Sequence, residues 1–142
     1  MPDPLTSFTT VRVRYGETDQ MGTFYNARAL DWFECGRTAW LHEAGLDYRQ
    51  LEQQGIHLPV IEAHVRFLGR AGFDDTLRVA TTASSVGRAR LRFDVEITHD
   101  ATNAPVAAGY TIHPTTTREG KPIRPPAWLM NHLPPRSPGP AD

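Results

Sequence analysis

The chain has a single cysteine, Cys35, in 142 residues. One thiol excludes any disulfide within the chain and any metal site built from several thiolates. An excess of charge of either sign is missing too. Lys and Arg number 15 against 16 Asp and Glu, a formal −1, so no basic field asks for nucleic acid or an anionic membrane surface. No apolar run approaches the roughly 18–20 residues that a membrane helix needs. Met1–Thr10, with two prolines, an acid and several hydroxyls, lacks the basic start and apolar run of a secretory signal. There is no Gly-x-Ser-x-Gly elbow, no Walker loop and no Gly-x-Gly-x-x-Gly opening a helix. What these absences leave is a soluble, cytoplasmic protein of one domain, acting on small molecules or other proteins without membrane or nucleic-acid partners.

What is present is organised around residues 15–34. Phe8–Tyr15 alternates, with Val11, Val13 and Tyr15 opposite Arg12 and Arg14, the period of a half-buried strand closed by Gly16. Glu17–Tyr25 has neither alternation nor helical spacing and reads as an irregular turn with Gly22 free in φ. Asn26 is placed to cap a helix over Ala27–Ala44 that Gly45 ends. Ala29, Leu30, Phe33, Gly36, Trp40, Leu41 and Ala44 form its apolar face, widened by Ala27, Trp32, Cys35 and Ala39. So broad a face predicts cover on more than one side.

Asp47–Gln54 reads as a short helix capped by Asp47 and stopped at Gly55. Alternation then returns in His57–Leu68, Thr76–Val86, Ala89–His99 and Val106–Thr117, with turns at Gly69–Asp75, Gly87, Asp100–Pro105 and Arg118–Lys121. One strand, a helix, then four strands in meander order predict an α+β domain over residues 1–133, its antiparallel sheet curled to bury the helix. Pro134–Asp142, with four prolines and little apolar material, reads as a mobile tail.

Tyr15-Gly16-Glu17-Thr18-Asp19-Gln20-Met21-Gly22, then Tyr25-Asn26-Ala27 and Trp32-Phe33-Glu34 with Arg37, resemble the hotdog-fold acyl-CoA thioesterases of the 4-hydroxybenzoyl-CoA thioesterase group. Val65-Arg66-Phe67-Leu68, Asp74-Asp75-Thr76-Leu77, Leu91-Arg92-Phe93 and Gly109-Tyr110-Thr111-Ile112-His113 extend the resemblance from about Val11 to Leu129. It implies a sheet of about five strands around one long helix, homodimers that often pair into homotetramers, an active site at the dimer interface, and hydrolysis of an acyl-CoA without metal or tightly bound cofactor. Asp19 matches the family's catalytic carboxylate. Ala29 stands where many members carry tyrosine, which removes bulk beside the expected acyl pocket.

Thioester hydrolysis needs oxygen delivered to the carbonyl carbon and stabilisation of the oxyanion that develops. Asp19 can serve the first need as nucleophile or as general base, and sequence does not separate the two. Helix N-terminal amides around Tyr25–Arg28 can serve the second, with Gly22, Tyr25, Ala27 and Ala29 lining the substrate. Asn26 reads equally as a structural cap and as a group orienting water or the carbonyl. Glu34 and Arg37 are spaced for a surface ion pair, with a buried role at an interface as the other reading. For the coenzyme A phosphates, Arg66, Arg70, Arg88 and Arg90 are candidates, Arg70 and Arg88 first. The six histidines show no His-x-x-x-His pair, His113 reads as a packed strand residue, and mid-helix Cys35 reads as core. Two rival readings are a non-hydrolytic acyl-binding or regulatory module and a thioesterase for acyl-carrier-protein.

Overall fold

A computed structural model describes residues 5–136. Five strands form one antiparallel sheet: β1 (Thr6–Arg12), β2 (Glu62–Phe67), β3 (Thr76–Val86), β4 (Arg90–His99) and β5 (Pro105–Pro114). Their spatial order is β1-β3-β4-β5-β2. The predicted meander therefore holds for β3, β4 and β5 only, and β2 crosses to the far edge to pair with β5. The β2 strand is also shorter than the alternation over His57–Leu68 suggested. His57 makes only an isolated bridge with Thr116.

Between β1 and β2 run α1 (Arg28–Glu43) and α2 (Tyr48–Gln53), and a last short helix, α3, spans Ala127–Met130. The Asp47 carboxylate accepts the Arg49 amide at 2.8 Å and so starts α2 as its residue type predicts. None of these helices is long and apolar enough to cross a membrane.

The 16-residue α1 packs mainly on β1 and β3, with lighter contact to β4. Gly36 permits the close approach, because a Cβ there would lie 2.3 Å from Thr81 Oγ1 and 3.0 Å from Val79 Cγ1. Ala29, Trp32, Phe33, Gly36, Trp40 and Leu41 are buried as the helical spacing requires, whereas Leu30 and Cys35 face outward. Cys35 is thus not core. Its thiol pKa is raised, first by partial burial and then by the carboxylates of Glu34 and Asp31. Arg37 is buried instead and its Nε has no hydrogen-bond partner among the described residues, while Glu34 is exposed.

The apolar contacts fall into two groups. One gathers Val13, Phe24, Ala29, Trp32 and Phe33 against Leu77, Val79, Val95, Ile97 and Val106. The other holds Trp40, Leu41, Leu51, Leu91, Phe93, Leu129 and Leu133 around the far end of α1. At Pro134–Arg136 the Ser85 amide donates to Pro134 O at 2.9 Å and the Arg136 amide to Ser85 O at 3.0 Å. Of the predicted mobile tail, 137–142 lies outside the described residues, as does 1–4 of the predicted domain.

Candidate active site

β1 ends at Arg12, sooner than the alternation through Tyr15 suggested, because Tyr15–Glu17 turns into a short 3-10 helix that leaves Tyr15 exposed. The chain then doubles back. Tyr25 N–H donates to Glu17 O at 2.7 Å, Thr18 bridges Phe24, and Asp19 N–H donates to Thr23 O at 2.8 Å. At the tip, Gly22 N–H donates to Asp19 O at 3.2 Å. Gly22 takes φ +80 there, a conformation that glycine adopts without steric cost.

Asp19 is half-buried at this tip. Its Oδ1 accepts the Met21 amide at 2.8 Å, the local bond that makes aspartate a turn residue. Its Oδ2 accepts no hydrogen bond from the described residues, so one carboxylate oxygen is held and the other is free.

The tip is tied down from several sides. Phe24 N–H donates to Ala71 O at 2.8 Å, and the Thr23 hydroxyl donates to Ala71 O at 3.3 Å and accepts the Ala71 amide at 3.1 Å. Arg70 Nη2 donates to Met21 O. The Phe24 ring packs 5.0 Å from Trp32 and 6.1 Å from Phe67, which joins the loop to α1 and to β2.

The start of α1 differs from expectation. Ala27, not Asn26, is the cap residue, and no side chain caps the helix. Arg28 N–H bonds to Tyr25 O at 2.9 Å, Ala29 N–H to Asn26 O at 3.3 Å and Leu30 N–H to Ala27 O at 3.2 Å. These tight 3-10-type bonds satisfy amides that a side-chain cap would otherwise take. Asn26 N–H and Ala27 N–H donate to no group among the described residues. They sit next to the Tyr25–Glu17 bond that closes the Asp19 turn.

The structure therefore brings Asp19, Gly22, Tyr25, Asn26, Ala27 and Arg70 into one loop region. Ala29 is apart from them: its exposure is 0% and it lies among the core residues, so it faces no open surface in one chain. Arg88 follows Gly87 at the β3–β4 turn. That is the opposite end of an 11-residue strand, about 33 Å from the end beside the Asp19 loop.

Sequence reasoning missed Glu17. Only 5% exposed, it accepts the Arg14 amide at 2.7 Å and the Trp32 indole N–H at 3.3 Å, with Arg14 Nε at 3.4 Å. The available signal was Trp32: an indole on the buried face of a helix needs an acceptor, and Glu17 is the nearest acid before the turn.

The histidines do not converge. No group of three or more His, Cys, Asp and Glu side chains among the described residues is placed to hold a metal ion. His113 is fully buried, its Nδ1 2.9 Å from Leu58 O and its Nε2 2.8 Å from Thr111 Oγ1. A carbonyl only accepts, so Nδ1 carries the proton and Nε2 accepts from the threonine. A groove of about 570 Å³ opens on the sheet face away from α1, between Thr6, His64, Arg66, Arg92 and Tyr110, and Asp19 does not line it.

A family model described as the thioesterase-like superfamily matches residues 13–133. YneP of Bacillus subtilis (strain 168), provisionally named an acyl-CoA thioesterase, is 38% identical over 71 residues, 50% of this chain and 51% of that one. The chain thus spans about half the length of that relative. The 1,4-dihydroxy-2-naphthoyl-CoA hydrolase of Synechococcus elongatus is 28% identical over 116 residues, 78% of this chain and 84% of the relative. Among solved structures, a hypothetical protein of Thermus thermophilus superposes with a TM-score of 0.82 at 29% identity, covering 91% of this chain and 95% of that one.

Proposed function

The chain belongs to the thioesterase-like superfamily, and from that premise we propose that it is an acyl-CoA thioesterase of the hotdog type, within the 4-hydroxybenzoyl-CoA thioesterase group. Water adds across the acyl-CoA thioester to give a carboxylic acid and coenzyme A. In this reading α1 is the helix around which the sheet closes. A coenzyme A substrate and a single cysteine fit a cytoplasmic setting.

The observation that carries the proposal is the Asp19 turn. One carboxylate oxygen is fixed by Met21 N–H and the other is free to react. As general base, Oδ2 takes a proton from water whose oxygen attacks the carbonyl carbon. As nucleophile, Oδ2 attacks directly and water then cleaves the anhydride. In either case the C–S bond breaks with its electron pair on sulfur, and the proton given up by the attacking water goes to the thiolate. The unspent amides of Asn26 and Ala27 stand at the positive end of α1, where negative charge on the carbonyl oxygen is stabilised. The Asn26 side chain, relieved of capping, is available to hold water or the carbonyl. Gly22, Tyr25 and Ala27 border the reacting group, and Ala29 lies behind them, packed in the core.

The protein acts as a homodimer that joins across β2, and pairs of dimers give the tetramer. β2 is an edge strand flanked by Val60, Ile61, Phe67 and Leu68, each close to half exposed, an apolar edge that calls for cover. Because Phe67 packs against Phe24 of the Asp19 loop, a second subunit there stands beside the turn and completes the acyl pocket. Arg70 reaches coenzyme A from its own subunit. Arg88, at the far end of β3, reaches it only from another.

The test is thiol release from a panel of short-chain, long-chain and aromatic acyl-CoAs, with an acyl-carrier-protein thioester alongside. Turnover of a coenzyme A thioester supports the proposal, and the best substrate identifies the acyl group. Binding without cleavage moves the protein to the acyl-binding class, and cleavage of the carrier-protein thioester alone overturns the coenzyme A assignment.

A further inference from the structure

We infer that Glu17 is a positioning residue for the Asp19 turn, holding the reactive carboxylate against the start of α1; the inference rests on the catalytic reading of Asp19. A carboxylate that is 5% exposed is costly to keep in a fold unless donors surround it. Glu17 has them: the Arg14 amide at 2.7 Å, the Trp32 indole N–H at 3.3 Å and the Arg14 guanidinium at 3.4 Å. The partners come from the two elements that the turn must join. Arg14 ends the segment leading out of β1, and Trp32 stands in the first turns of α1, on its buried face.

The main chain of the same residue does related work. Glu17 O accepts Tyr25 N–H at 2.7 Å, the bond that closes the turn at its base. Asp19 lies two residues beyond Glu17, and Asn26 follows Tyr25. Through its backbone Glu17 sets the spacing between Asp19 and the free amides of Asn26 and Ala27, and through its side chain it fixes that pair relative to the helix. A polar group is needed for this, because an apolar side chain of the same size would fill the space without orienting the segment. Displacement of a reacting group by about 1 Å can cost on the order of 100-fold in rate. Loosening Glu17 should therefore act on turnover.

Two substitutions separate positioning from general stability. Glu17→Gln keeps the volume, but its amide has one acceptor oxygen where the Arg14 amide and the Trp32 indole require two. Trp32→Phe removes the indole donor while keeping a smaller ring in the core beside Phe24. The expected result is a tenfold or larger fall in kcat for Glu17→Gln, with KM changed less than threefold and oligomeric state retained. Trp32→Phe should fall in the same direction, and the double variant should lose less than the product of the two single losses, because both substitutions act on the hold of one carboxylate. Glu17→Asp, which keeps the charge but is one methylene shorter, should recover part of the lost kcat.

The outcome against the inference is kcat for Glu17→Gln within twofold of native, or independent, multiplicative losses in the double variant. Asp19→Asn, run in parallel, tells the two failures apart. If Asp19→Asn is inactive while Glu17→Gln is unaffected, positioning by Glu17 is wrong and the catalytic reading stands. If Asp19→Asn keeps native activity, both are wrong.

Discussion

His113 gives this fold a built-in sensitivity to acid that can be calculated. The imidazole is fully buried, bonded at both nitrogens and packed edge-on 5.3 Å from Phe93. Burial pushes its pKa down from 6.5 to about 4; the charge of Arg37 adds to the lowering, and the Leu58 and Pro59 carbonyls oppose it. In the unfolded chain the same side chain takes its proton near 6.5. Between the two values the unfolded state binds more protons, so stability is lost as pH falls through that window and is level with respect to this group above it. At about 1.4 kcal/mol per unit, a gap of about 2.5 units costs about 3 kcal/mol. For a chain of this length that is a drop of about 10 °C in Tm. The assay is urea unfolding at fixed protein concentration from pH 7.5 to 4, comparing native protein with His113→Gln. Carboxylates common to both cancel, so the native protein should lose about 3 kcal/mol more than the variant over the range. Parallel curves for the two proteins would refute the reasoning.

Two further perturbations follow from the packing. Gly36→Ala forces a Cβ to within 2.3 Å of Thr81 Oγ1, so α1 must move off β3; a loss of about 1–3 kcal/mol is expected in the same unfolding assay, and an unchanged midpoint would contradict the contact. Phe67→Glu places a charge on the apolar border of β2; ultracentrifugation should show the assembly shifted toward monomer with thioesterase activity falling in parallel, and an intact, fully active assembly would remove β2 from the proposed interface.

The local parts of this structure are legible in the sequence because they depend on neighbours in the chain. β3 spans the predicted Thr76–Val86, and α2 begins at the predicted Asp47 cap. The Asp19 turn is legible from a short acid placed ahead of a glycine. What was hidden depends on distant partners. Nothing within Glu62–Phe67 tells that its neighbour is β5 rather than β3, since alternation gives a strand its faces but not its place in a sheet. Asn26 carries the residue type of a cap, yet the helix starts with its own tight backbone bonds and no side-chain cap. Cys35 and Arg37 are two residues apart on α1 and exchanged their expected environments, because α1 lies over one half of the sheet and its other flank is open. Glu17 looked like an ordinary turn acid, and only the fold brings the Trp32 indole to it.

The central claim, that Asp19 carries the chemistry, is tested most directly by Asp19→Asn. Asparagine preserves the acceptor for Met21 N–H and removes the free carboxylate oxygen, so the turn should survive while reactivity does not. With the best acyl-CoA from the panel, and with circular dichroism and oligomeric state matched to native, thiol release should fall by at least 100-fold. Thiol release within a few-fold of native would contradict the account.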